Sequence, residues 1–157
     1  MKVPDKTNAI RLIEQAGISC HLHVYDPNSG IDGVSVAASL GELPDQVFKT
    51  LVTEGRDNRH FVFVIPVTAT LDLKKAAKTA GEKSIVMIPQ KSLLPLTGYI
   101  HGGCSPVGMK KMFPTFIDET AQLFDRIFVS GGRIGLQMEL SPLDLAGLVN
   151  ASFVSLT

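Results

Sequence analysis

The sequence predicts an α/β protein of the α+β kind, in which helices pack around a mixed, largely antiparallel sheet. Two strand pairs and a set of short capped helices support this reading. Val47 to Thr53 and Phe61 to Val67 are β-rich runs separated by the polar Glu54-Gly55-Arg56-Asp57-Asn58-Arg59, a hairpin pattern. Arg126 to Val129 and Ile134 to Leu140 flank Ser130-Gly131-Gly132-Arg133, whose Gly-Gly pair suits a tight turn. Hairpins therefore outnumber strand–helix–strand crossovers. With 157 residues, 45% of them hydrophobic, and no linker rich in Pro, Gly or Ser, residues 1–157 read as one domain with a sizeable core.

Thr7 or Asn8 caps a first helix that carries Ala9, Leu12, Ile13 and Ala16 on one face and stops at Gly17. Cys20 to Val24 alternates as a strand. Pro27-Asn28-Ser29-Gly30 is a loop, and Asp32 or Ser35 caps a short helix through Val36 to Leu40, with Gly41 behind it. After the first hairpin, Asp72 caps a helix whose inner face is Leu73, Ala76, Ala77 and Ala80, ending at Gly81. Ser84 to Ile88 reads as a strand and Gln90 to Leu94 as a short helix. Gly98 to Gly108 is a glycine-rich loop, and Thr115 to Ile117 is a short extended piece. Ser141-Pro142-Leu143-Asp144 combines a hydroxyl cap, a proline at the first helical position and an acid in the first turn, opening a helix to about Leu148. Ala151 to Val154 closes as a strand.

Fifteen basic residues balance fifteen acidic ones, so no net field draws the molecule onto nucleic acid. That excludes histone-like or DNA binding and leaves a local patch that touches one end of an RNA. The longest apolar run, Phe61 to Val67, is strand-sized and spans no membrane. Met1 to Lys6 is charged and lacks the apolar block of a secretory signal. Cys20 and Cys104 are too few and too distant for a disulfide framework or a zinc site, so the expected compartment is the reducing cytoplasm.

The usual catalytic constellations are missing, and neither a metal nor a cofactor is expected. His21 and His23 share a strand face without a third ligand. Gly103-Cys104-Ser105-Pro106-Val107 imitates a nucleophile elbow but ends in valine where glycine is required. Cys104 follows His101 by three residues, which raises a Cys–His nucleophile against the commoner small buried thiol. Lys49 shares a strand face with Val47 and Leu51, opposite Phe48, Thr50 and Val52. Two readings of it stay open: a fixed ammonium poised for a phosphate or carbonyl oxygen, or an edge-strand residue that snorkels to water. Gly102-Gly103 offers unblocked N–H groups of the kind that form an oxyanion hole. Lys74, Lys75, Lys78, Lys110 and Lys111 are candidates for a phosphate-binding rim.

Four segments give these features a pattern. They are Asp45-Gln46-Val47-Phe48-Lys49-Thr50-Leu51, Leu71-Asp72-Leu73-Lys74-Lys75-Ala76-Ala77-Lys78, the run from Thr97 to Lys111 containing Gly98-Tyr99-Ile100-His101-Gly102-Gly103-Cys104, and Val129-Ser130-Gly131-Gly132-Arg133. In this order, and over essentially the whole chain, they resemble the YbaK/EbsC family of bacterial Cys-tRNA(Pro) deacylases, relatives of the editing domain of prolyl-tRNA synthetases. The resemblance implies a barrel-like mixed sheet and hydrolysis of a wrongly attached amino acid from the 3′ end of tRNA. It implies a trans-editing activity on Cys-tRNA(Pro), with Cys-tRNA(Cys) as a further substrate.

Carried over by position, the resemblance makes Lys49 and Gly102 the catalytic residues, and Tyr25, Thr50, Gly103, Ser130 and Gly131 substrate contacts. In this family the cysteinyl thiol is thought to attack its own ester and leave as a thiolactone, so the protein needs no nucleophile. The expected partners are the tRNA acceptor end and prolyl-tRNA synthetase. Ile31-Asp32-Gly33 stands where many relatives have phenylalanine, so one pocket wall differs. The rivals are a deacylase for another small amino acid such as Ala-tRNA(Pro), a non-catalytic tRNA- or synthetase-binding module, and a Cys104 thiol enzyme acting on a small ester.

Overall fold

The run that reads as uninterrupted apolar sequence becomes a strand covered on both faces. In the computed structural model, which describes residues 6–157, His60–Pro66 lies with Phe61, Phe63 and Ile65 on one side and Val62 and Val64 on the other, all buried. The charged stretch Met1 to Asp5 lies outside the described residues. In chain order the elements are α1 (Asn8–Gln15), β1 (Cys20–Val24), α2 (Gly33–Leu40), β2 (Phe48–Glu54), β3 (His60–Pro66), α3 (Leu73–Ala80) and β4 (Val86–Met87). They continue with α4 (Leu93–Thr97), β5 (Thr115–Asp118), β6 (Ile127–Ser130), β7 (Leu136–Leu140), α5 (Pro142–Val149) and β8 (Ser152–Val154).

The strands form two sheets, ordered β1-β7-β6 and β4-β2-β3-β5-β8. The first is antiparallel throughout. In the second, β2 runs antiparallel to both β3 and β4, while β3–β5 and β5–β8 are parallel. A parallel bridge from Val47 to Phe128 joins the sheets at one point. The mixed, mainly antiparallel sheet is therefore present, but it stays open instead of closing into a barrel. Phe48, Val52, Val62, Val64, Ile117, Ile127, Val129, Met138 and Leu140 fill the space between the sheets, with α1 and α5 against them. On the outer side of β3, Phe61, Phe63 and Ile65 meet Ala76 and Ala77 of α3. Ala37 of α2 packs on Val47, Val67 and Phe128, which seats α2 over the seam between the sheets.

The caps follow the sequence closely. Thr7, Asp32, Asp72 and Ser141 each accept a backbone N–H at the start of a helix. Gly41, Gly81 and Gly98 take the left-handed conformation at helix ends. Three details differ from expectation. Leu12 and Leu73 are 39% and 40% exposed, because α1 turns Ile10 inward in place of Leu12 and Leu73 is the first residue of its helix. The strand predicted over Ser84 to Ile88 shrinks to Val86–Met87, which pairs only with Thr53 and Glu54. The Gly-Gly turn is not tight: β6 and β7 are joined by residues 131–135, with Gly131 N–H donating to Leu136 O (2.9 Å) and both Gly132 and Gly135 at positive φ.

Candidate active site

β4 is too short to cover the first half of β2. At the other end of β2 the same edge meets β6 through the Val47–Phe128 bridge, and a cavity of about 390 Å³ is lined by the strand between these two points. Val47, Phe48, Lys49, Thr50 and Leu51 line it consecutively, so the strand runs along the wall and does not present a single face. Ile31, Asp32, Gly33, Val34 and Val36 form the side contributed by α2 and its approach, and His101, Gly102 and Cys104 the side of the glycine-rich loop. Ser130 of β6 and Gln137 of β7 complete it.

Lys49, Thr50, Gly102 and Ser130 thus meet in one cavity, although 80 residues of chain separate Thr50 from Ser130. Tyr25, Gly103 and Gly131 are not among the residues lining it. Tyr25 follows β1 and is buried, its hydroxyl without a partner. Gly103 is where two loops touch: a Cβ there would lie 2.8 Å from the backbone of Arg133 and Ile134. Gly131 bonds across the hairpin to Leu136.

The polar groups of the cavity are poised and mostly unspent. Lys49 has neither an ion pair nor a hydrogen bond within the described residues. Burial, without a compensating anion, lowers its pKa below the usual 10.5. The Gly102 N–H likewise donates to nothing in the described chain, and its φ of +86° favours glycine. A Cβ at Gly102 would lie 3.0 Å from Ile31 Cδ1, so the Ile31 side chain packs close to this glycine. Ser130 Oγ accepts from Gly132 N–H (3.2 Å). Asp32 is held below the usual carboxylate range, first by the Ser35 hydroxyl (2.6 Å) and then by the Ser35 N–H (3.1 Å).

Thr50 Oγ1 and Gln137 Oε1 are buried and have no partner among the described residues. Buried polar atoms are ordinarily bonded, so two unpartnered ones on residues that line one cavity set this wall apart from the rest of the interior. Gln137 escaped sequence reading. The signal for it was the hairpin register, which sets Gln137 opposite Ser130 and so puts the two side chains on one face.

Other expectations resolve differently. None of Lys74, Lys75, Lys78, Lys110 and Lys111 lines the cavity, and Lys75 is engaged with Thr157 O (2.6 Å) and Ser155 Oγ (3.1 Å). His23 binds Glu139 at 2.8 Å and its ring lies tilted against Phe128, a strand histidine with a structural partner. Ser105 is fully buried and accepts from Val107 N–H, an ordinary turn. Among the described residues there is no group of three His, Cys, Asp or Glu able to hold a metal, and no helix is long and apolar enough to cross a membrane.

Burial pushes the Cys104 thiol up to about 12, so at neutral pH it is protonated and a poor nucleophile. Cys104→Ala is therefore expected to retain most of the activity. Loss of turnover in a folded Cys104→Ala protein would instead identify a thiol enzyme.

The aminoacyl-tRNA editing domain family matches residues 32–148. A protein of Enterococcus faecalis named "Putative Cys-tRNA(Pro)/Cys-tRNA(Cys) deacylase EbsC" is 44% identical over 157 residues, covering 99% of this chain and 96% of that protein. A crystal structure of "a putative trans-editing enzyme for prolyl tRNA synthetase" superimposes with a TM-score of 0.86 at 23% identity, over 100% of this chain and 99% of that one. The crystal structure of "hypothetical protein APE2540" gives 0.88 at 22% identity, over 96% and 99%. At these identities the two structures establish a shared fold.

Proposed function

The chain belongs to the aminoacyl-tRNA editing domain family, and on that premise we propose that it is a trans-editing deacylase that removes cysteine from Cys-tRNA(Pro), and from Cys-tRNA(Cys), in the cytoplasm. One observation carries the reading. Among the described residues, an unpaired ammonium and a free N–H share a cavity with residues that carry unpartnered polar atoms, and no activated nucleophile accompanies them.

The attacking atom is then the substrate's own sulfur. It forms a C–S bond to the ester carbonyl, the carbonyl oxygen takes the charge, and collapse breaks the bond to the ribose oxygen. That oxygen takes up a proton in place of the one lost by the thiol. The product is a cysteine thiolactone, which water opens. The Gly102 N–H stabilises the oxyanion, a contribution of about 2.7–4 kcal/mol for one such donor. Lys49 anchors the terminal phosphate or ribose. Ser130 Oγ and Gln137 Oε1 receive the α-ammonium, and Thr50 lines the same wall. Tyr25, Gly103 and Gly131 support these groups from behind.

With zero formal net charge, and with Lys49 the only lysine or arginine among the described residues that line the cavity, the protein grips the acceptor end and reads little else of the tRNA. Selection of tRNA(Pro) is assigned to prolyl-tRNA synthetase as partner. Release of amino acid from Cys-tRNA(Pro), Cys-tRNA(Cys) and Ala-tRNA(Pro) tests the whole reading. The protein alone should cleave both cysteinyl species at similar rates and spare the alanyl one, and added synthetase should favour Cys-tRNA(Pro). Equal loss of alanine would make it a general small-residue deacylase, and binding without release a non-catalytic module.

A further inference from the structure

The hairpin loop behind Ser130 is held from a distant point in the sequence. Thr7 accepts from Ile10 N–H as the cap of α1 (3.2 Å), and its hydroxyl donates to Gly131 O (2.5 Å). The Gly131 carbonyl and the Gly132 N–H are the two ends of one planar peptide group, so fixing the oxygen fixes the direction of the N–H. That N–H donates to Ser130 Oγ (3.2 Å). Between two glycines this peptide is free to rotate, since neither residue has a Cβ to resist positive φ. Gly132 sits at φ +102°, and a Cβ there would lie 3.0 Å from Thr7 Cβ and 3.1 Å from Tyr99 Cε1. Tyr99 in turn donates to Val107 O (2.6 Å) within the glycine-rich loop.

We infer that Thr7 is a positioning residue for the editing reaction: its hydroxyl locks the Gly131–Gly132 peptide in one orientation, and that peptide sets the Ser130 hydroxyl in the cavity. The inference rests on the proposed contact between Ser130 and the substrate. The lock is separable from the helix cap. Aspartate at position 7 still accepts the Ile10 N–H but has no proton for Gly131 O, and glycine is nearly as good a cap and also lacks the donor. Serine keeps both functions.

The test is Cys-tRNA(Pro) deacylation, thermal unfolding and amide exchange at Gly132 for Thr7→Ser, Thr7→Asp, Thr7→Gly and Ser130→Ala. Thr7→Ser should match the parent. Thr7→Asp and Thr7→Gly should unfold near the parent temperature, lose Gly132 amide protection, and fall roughly 10- to 100-fold in kcat/KM, as expected for a small misplacement at a reacting site. Combined with Ser130→Ala, either change should add nothing, because both act through one hydroxyl. An equal further loss in the Ser130→Ala background, or unaltered Gly132 protection in both Thr7 variants, overturns the inference. Full activity of Ser130→Ala overturns the Ser130 assignment itself, and exchange at Gly132 still reports separately on the Thr7 lock.

Discussion

Seryl-tRNA(Pro) should survive incubation with this protein, and so should cysteinyl-tRNA(Pro) whose sulfur has been alkylated, while native Cys-tRNA(Pro) is consumed. The expected difference is large because a well-oriented intramolecular attack lowers a barrier by about 7–11 kcal/mol. No activated nucleophile among the described residues replaces it. The Cys104 thiol is held protonated by burial, and the Ser130 hydroxyl has no hydrogen bond to a histidine or carboxylate among the described residues. The two substrates divide the explanation between them. Alkylation removes the nucleophile but adds bulk, whereas serine keeps the shape and offers a hydroxyl far less acidic than a thiol. Release of serine at the rate of cysteine would mean that water or a protein group attacks, and the self-cleaving mechanism would be wrong.

What the sequence allowed one to see, and what it hid, divides by range of interaction. Caps are local: Thr7, Asp72 and Ser141 each satisfy an N–H two or three residues away, so the helix starts were legible. The β2–β3 hairpin was legible for the same reason. Leu12 was misplaced because two faces of α1 carry apolar residues and only tertiary contact decides between Ile10 and Leu12. Lys49 stood out as a cation in an apolar strand, but its two readings could not be separated until the fold placed it, without a partner among the described residues, on the wall of a cavity shared with Gly102 and Ser130. Gly102 and Ser130 were named through family resemblance, since glycine loops and hairpin serines are common. Gln137 was invisible for a different reason: its meaning lies in an unpartnered atom, and bonding partners across strands are not written in composition or spacing. The lysine clusters misled because charge is easily counted but its direction is set by the fold.

Replacing Lys49 should cost activity without costing stability. An ordinary structural lysine pairs with an acid, and this one has no partner among the described residues while burial disfavours its charge. Lys49→Met keeps the aliphatic stem and removes that desolvation, so its unfolding temperature should match or exceed the parent's. Turnover should nonetheless fall by about 10²–10³, the usual consequence of losing one fixed electrostatic donor. The pH profile carries the sign. Activity should rise as the cysteinyl thiol ionises, near 8.5 for an unperturbed thiol, so about that pH marks the ascending limb. It should fall again as Lys49 gives up its proton, and because burial lowers this pKa the descending limb lies below the usual 10.5. Lys49→Arg stays charged throughout, so its descending limb should move to higher pH even though the guanidinium fits the site less well. A descending limb that stays in place in Lys49→Arg, or full turnover in Lys49→Met, would show that the ammonium does not hold the substrate.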